Sequence, residues 1–104
     1  MKIIWTKSAR SDLSSIYQYY KEKVNSKIAR KIRSTIFRRT DILKRHPFAG
    51  QQEEMLKVLQ EGHRYLVKGN YKIIYKVAEK EVFITQVFDA QQDPQKMLKK
   101  AKQF

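Results

Sequence analysis

The hydrophobic pattern of this chain switches between a period of two and a period of three to four, and each switch marks a boundary. Lys2 to Thr6, KIIWT, is β-branched and aromatic and predicts a first strand, at an edge or beside the C-terminal strand. From Ser8 the apolar positions Leu13, Ile16, Tyr17, Tyr20 and Val24 recur at helical spacing, which predicts a helix from about Ser8 to Lys23 with Ser8 as its cap. Asn25 and Ser26 interrupt it. Ser26 then caps a second helix with Ala29, Ile32, Ile36 and Leu43 on one face, and Pro47 ends it near Arg45. His46 to Gly50, HPFAG, reverses the chain. Gln51 to Gly62 connects, with Met55, Leu56 and Leu59 as a short helical turn against the core.

Period-two patterning resumes at Arg64. Arg64 to Val67 and Tyr71 to Val77 read as strands joined at Lys68-Gly69-Asn70, the strongest hairpin signal in the chain, and Ala78-Glu79-Lys80 leads into a third strand, Glu81 to Phe88. The prediction is an α+β domain spanning 1–104: an N-terminal strand, a helical hairpin, and a three-stranded antiparallel meander with the helices on one sheet face. Alternation puts Arg64, Leu66 and Lys68 on one side of their strand. On the next it separates Lys72, Ile74 and Lys76 from Tyr71, Ile73, Tyr75 and Val77, so one sheet face reads as core and the other as a cationic surface.

Charge sharpens that picture. The 104 residues carry 23 lysines and arginines against 10 acidic residues, a formal net charge of +13, which favours a polyanion or an acidic protein as partner. The second helix adds Lys27, Arg30, Lys31 and Arg38 at helical spacing, a stripe that a solvated face also explains. Lys96 to Phe104, with Lys96, Lys99, Lys100 and Lys102, reads as a basic tail over about 95–104, compatible with a short helix and open to ordering by a partner. The aromatic stripe of the first helix fits a base-stacking platform or, more simply, a buried core.

Composition excludes several chemistries. The chain has no cysteine, so no disulfide, thiolate nucleophile or thiolate metal site, and its two histidines, His46 and His63, make a zinc site a poor fit. No cofactor or metal is expected. No apolar run approaches the roughly 20 residues of a membrane span, and Met1 to Thr6 has no signal-peptide pattern, so no membrane partner and a cytoplasmic location are expected. Gly50, Gly62 and Gly69 lie too far apart to form a phosphate loop. A metal-free ribonuclease needs only a proton donor or acceptor and cations at the scissile phosphate, roles open to His63, Arg64, Lys68, Lys72 and Tyr75, residues that a basic sheet face over an aromatic core explains equally.

Taken in order, KIIWT with Ser8-Ala9 and Asp12-Leu13, the HPFAG turn, EGHRYLVKGNYKIIYKV and VFITQVFDAQQDP resemble the RelE/ParE superfamily of toxins from bacterial type II toxin–antitoxin systems over nearly the whole chain. The resemblance implies the same fold, with the first strand beside the last. RelE-like members cleave mRNA on the ribosome with basic residues of the middle strands, an arginine after the last strand and a C-terminal tyrosine or histidine. Arg64 and Lys72 match the middle-strand positions. Ala90 to Gln92 offers no arginine, and Gln95 to Phe104 has neither tyrosine nor histidine. That departure favours the ParE branch, whose members poison DNA gyrase without a nuclease site; a ribosome-dependent endoribonuclease using Arg64, Lys68 and Lys72, and a non-toxic binding member, are the alternatives. The target-binding candidates are Arg64, Lys68, Lys72, Lys76, Lys96, Lys99 and Lys100. For Arg64, an anchor for DNA, gyrase or antitoxin stands beside a structural ion pair. The resemblance also implies a cognate acidic antitoxin that wraps the toxin.

Overall fold

A computed structural model describes residues 1–103. Strand β1 (Lys2–Trp5) leads into helix α1 (Lys7–Lys23), helix α2 (Ser26–Arg39), and a 3-10 turn over Thr40–Lys44. The two-residue strand β2 (Gln51–Gln52), a second 3-10 turn (Glu54–Leu59), strands β3 (Arg64–Lys68), β4 (Tyr71–Ala78) and β5 (Glu81–Asp89), and helix α3 (Gln95–Ala101) follow. The five strands lie in the order β1-β5-β4-β3-β2; β1 runs parallel to β5 and every other pairing is antiparallel. Expected meander and expected first-strand position are both present.

The caps sit one or two residues earlier than the sequence suggests. Thr6 caps α1: its amide donates to Ile84 O at 3.0 Å as the last sheet bond, and its hydroxyl accepts from Ala9 N at 3.2 Å. The chain thus turns directly from strand into helix, and Ser8 is already helical. Asn25, not Ser26, caps α2, its side-chain oxygen accepting from Ile28 N at 2.8 Å. Helical winding continues past Arg39 as the 3-10 turn to Lys44 before Pro47. Gly69, at φ 59°, takes the first central position of the β3–β4 turn, where a side chain would strain the backbone.

One core lies between the hairpin helices and the sheet, built from Ala9, Leu13, Ile16, Ile36 and Leu43 against Leu66, Ile73, Tyr75, Val82, Ile84 and Val87. The opposite face is not the free cationic surface that alternation suggests. There α3 and the second 3-10 turn bring Met97 and Leu56 onto Ile74 and Phe88, a second buried cluster. The basic tail is the short helix its sequence allows, and packing of the buried Met97 on the sheet orders it without a partner; Phe104 lies outside the described residues. The β4–β5 register shifts between Ile74 opposite Gln86 and Tyr75 opposite Ile84, leaving Thr85 unpaired. That bulge places Gln86 and Phe88 toward α3 and keeps Val82, Ile84 and Val87 toward the helical hairpin.

Candidate functional site

Register separates the expected site residues. Arg64 pairs across from Tyr75 and Lys68 from Tyr71, so both lie on the helical-hairpin side, whereas Lys72 and Lys76 lie on the α3 side with Ile74. Arg64, Lys68 and Lys72 therefore do not converge on one phosphate, and the single cationic face expected from alternation divides into two.

Three of these cations are already engaged. Arg64 Nη1 donates to Gly50 O at 2.9 Å and to Phe48 O at 3.5 Å, and its guanidinium lies 5.3 Å from the Phe48 ring centroid. It forms no ion pair among the described residues; it clamps the HPFAG turn instead. The same turn is held from below by the buried Tyr75 hydroxyl, which accepts from Gly50 N at 2.8 Å. Burial raises the Tyr75 pKa, so the phenol stays protonated. Lys72 Nζ lies 2.9 Å from the buried Glu53 carboxylate and 4.3 Å from the Tyr65 ring centroid. Lys76 pairs with Glu61 at 2.7 Å, and that hydrogen bond, more than any other interaction, holds the Glu61 carboxyl below its usual range.

The remaining expected cations gather elsewhere. Lys96, Lys99 and Lys100 project from α3 into a groove of about 600 Å³ between α1, α3 and the ends of β4 and β5. Its other wall is aromatic and polar: Tyr19, Tyr20, Asn70 and Tyr71. Lys100 is tied to Asp12, whose second oxygen accepts from Val87 N at 2.9 Å, stapling α1, α3 and β5 together. Lys96 and Lys99 are exposed and make no ion pair among the described residues. Tyr19 stands half out of the surface, edge-on to Tyr20 at 5.1 Å. Tyr71 is held neutral, burial raising its pKa above the phenol's ordinary value, with the Tyr20 hydroxyl adding to the shift. Lys68, also unpaired among the described residues, lines an adjoining hollow of about 250 Å³ with Tyr20 and Ile32. The lysine spacing on α3 was visible in the sequence. Tyr19 and Asn70 were not, because tertiary contact alone brings them opposite α3.

A smaller cavity of about 260 Å³ lies under the start of α1 and includes Ser8, His63, Lys76 and Gln86. His63 Nδ1 and Gln86 Oε1 are buried without a hydrogen-bond partner, an arrangement that costs about 1–3 kcal/mol for each such atom. Burial lowers the His63 pKa and keeps the ring neutral. Among the described residues no three His, Asp or Glu side chains cluster as metal ligands, and no helix is long and apolar enough to cross a membrane.

A helical hairpin packs on a meander with a parallel N-terminal strand; Arg64, Lys72 and Lys76 are tied into structure, while Lys68, Lys96 and Lys99 make no ion pair among the described residues. The chain belongs to the ParE toxin family: the profile described as "ParE toxin of type II toxin-antitoxin system, parDE" matches residues 3–94. Its fold is similar to a solved chain from the chromosomal ParDE toxin–antitoxin system of P. aeruginosa, with a TM-score of 0.75 and 24% identity over 88% of this chain and 97% of that one. No match is found among curated proteins.

Proposed function

We propose that this ParE-family toxin arrests bacterial growth by binding DNA gyrase and trapping it on cleaved DNA, without catalysis of its own. The observation that carries the reading is the separation of the basic residues. Arg64, Lys72 and Lys76 are consumed by contacts with the HPFAG turn, Glu53 and Glu61, while Lys68, Lys96 and Lys99 remain available for an anionic partner. A ribonuclease requires its cations at one phosphate, and this sheet puts Arg64 and Lys72 on opposite faces. The cognate antitoxin is then an acidic chain that folds onto the toxin. A net charge of +13 favours its approach.

The test is a supercoiled-plasmid assay with purified gyrase and toxin, scoring linear DNA after protease treatment. Gyrase-dependent linear product is expected. Folded, antitoxin-binding protein that yields none, and instead cleaves mRNA on ribosomes, overturns the reading.

A further inference from the structure

Two hollows of the surface share a wall. The α3 groove of about 600 Å³ and the adjoining hollow of about 250 Å³ are both lined by Tyr20, Asn70 and Tyr71. Together they make one track, with Lys96 and Lys99 on the α3 side and Lys68 beyond the shared wall. The candidate cations that make no ion pair among the described residues therefore border a single depression, with tyrosines between them.

Core packing accounts for two of those tyrosines. Tyr20 and Tyr71 are partly buried against the main core, and their hydroxyls bond to one another. Tyr19 stays out at 54% exposure, edge-on to Tyr20. A large ring left in water beside unpaired cations offers a face for stacking. Exposed amides line the same groove: Asn70, whose main-chain carbonyl is fixed by Ala90 N at 2.8 Å, and Gln91 and Gln92.

This mixture discriminates among anionic polymers. An acidic peptide calls for donors alone, whereas the side-chain amides bring an acceptor with each donor. A nucleobase has a flat face and an edge carrying both donors and acceptors. In a duplex the faces are stacked and the edges paired, so Tyr19 reaches a base face only in a single strand. The two acids of the groove limit where phosphate can run. Asp12 is matched by Lys100, but Asp89 has no ion-pair partner among the described residues and repels phosphate, which leaves the backbone to the lysines.

We propose that this track binds single-stranded nucleic acid, with phosphates on Lys96, Lys99 and Lys68, one base stacked on Tyr19, and neighbouring base edges on the Asn70 and Gln91 amides. The groove's volume lies within the usual range for ligand sites, enough for a short segment of strand. The inference gives a chemistry to the anionic partner of the free lysines, and it needs no gyrase.

Fluorescence anisotropy of the full chain with a labelled oligothymidylate of about ten nucleotides tests it, at one fixed ionic strength, with unlabelled duplex and polyglutamate as competitors. The single strand is expected to bind about tenfold or more tightly than either competitor. Tyr19→Ala is expected to weaken it by about tenfold and Tyr19→Phe by about twofold or less, since the ring stacks and the hydroxyl does not. Lys96→Gln with Lys99→Gln is expected to weaken it more than Lys27→Gln with Lys31→Gln. All five positions are exposed, and an unchanged urea midpoint checks that each variant is folded. Duplex binding as tight as the single strand, or Tyr19→Ala binding like wild type, overturns the proposal. Polyglutamate matching the single strand also overturns it and assigns the track to an acidic peptide. Gyrase-dependent linear DNA from a toxin that binds no single strand removes this inference and leaves the gyrase reading; single-strand binding without that product does the reverse.

Discussion

Gly50 has no side chain because there is no room for one: a Cβ there would lie 2.7 Å from Tyr65 O, Tyr75 Cε1 and the Tyr75 hydroxyl oxygen. Gly50→Ala must displace a sheet carbonyl or the buried phenol, and is expected to lower stability by about 1–3 kcal/mol in urea unfolding. Arg64→Lys, which keeps the charge but loses the guanidinium Nη1 that reaches both Gly50 O and Phe48 O, is expected to destabilise by roughly 1 kcal/mol. Unchanged stability with lost toxicity would instead make Arg64 a target contact. His63 gives a signed pH effect. Its pKa is lowered on folding from 6.5, so the unfolded chain binds the proton more readily, and stability falls as pH drops through 6.5 toward the folded value. Glu61, also lowered, adds a loss in the same direction below its ordinary 4.5. Glu61, Lys76 and Glu53 all act on His63, so the check is a comparison of urea midpoints at pH 7.5 and 5.5: wild type should lose more than His63→Gln. The sequence displayed Arg64 and the HPFAG turn as separate signals. Their contact was hidden because Arg64 reaches backbone carbonyls 14 and 16 residues away, and carbonyls leave no side-chain signature.

At the scale of elements, the hairpin turns differ in how well their residues suit them. Gly69 meets the demand of the β3–β4 turn, but Glu79 and Lys80 hold φ of 52° and 65° in the β4–β5 turn. Those angles are what Asn-Gly adopts readily, so Glu79→Asn with Lys80→Gly is expected to raise stability by about 0.5–1 kcal/mol, read as a higher urea midpoint at unchanged slope. A lower midpoint would mean that these side chains make contacts that outweigh backbone strain. Elements themselves were legible because their periods are strong: the stripe from Leu13 to Tyr20, the alternation from Tyr71 to Val77, the Gly69-Asn70 turn. What alternation could not show is that both sheet faces are covered. Ile74, between Lys72 and Lys76, reads as an isolated apolar residue on a polar face, yet it is fully buried under Leu56 and Met97. The lysines beside it extend past that cluster to Glu53 and Glu61, acids supplied by the segment that reads as a mere connection. Local pattern gives the parity of a strand, whereas the covering of a face depends on elements distant in sequence.

At the scale of the molecule, a +13 charge on a body of 39 × 30 × 21 Å produces a positive field around the whole surface, so charge alone does not locate a binding face. The α3 groove is distinguished by having unpaired lysines opposite tyrosines: Lys96 and Lys99 face a wall containing Tyr19 and Tyr71. If this groove meets the anionic partner, removing two charges there must matter more than removing two charges elsewhere. Lys96→Gln with Lys99→Gln is the first variant, and Lys27→Gln with Lys31→Gln, on the exposed side of α2, is its equally charged control. All four residues are exposed and free of ion pairs among the described residues, so both variants are expected to keep wild-type stability within about 0.5 kcal/mol. The α3 pair is expected to raise the toxin concentration needed for gyrase-dependent linear DNA by about tenfold, the α2 pair by about threefold or less, as a change in the general field alone would. Equal losses would assign the binding to the field and remove the groove from it. The comparison avoids Lys72, because Lys72→Gln removes the cation from the buried Glu53 carboxylate and is expected to lower stability, so a loss of toxicity in that variant would not identify a target contact.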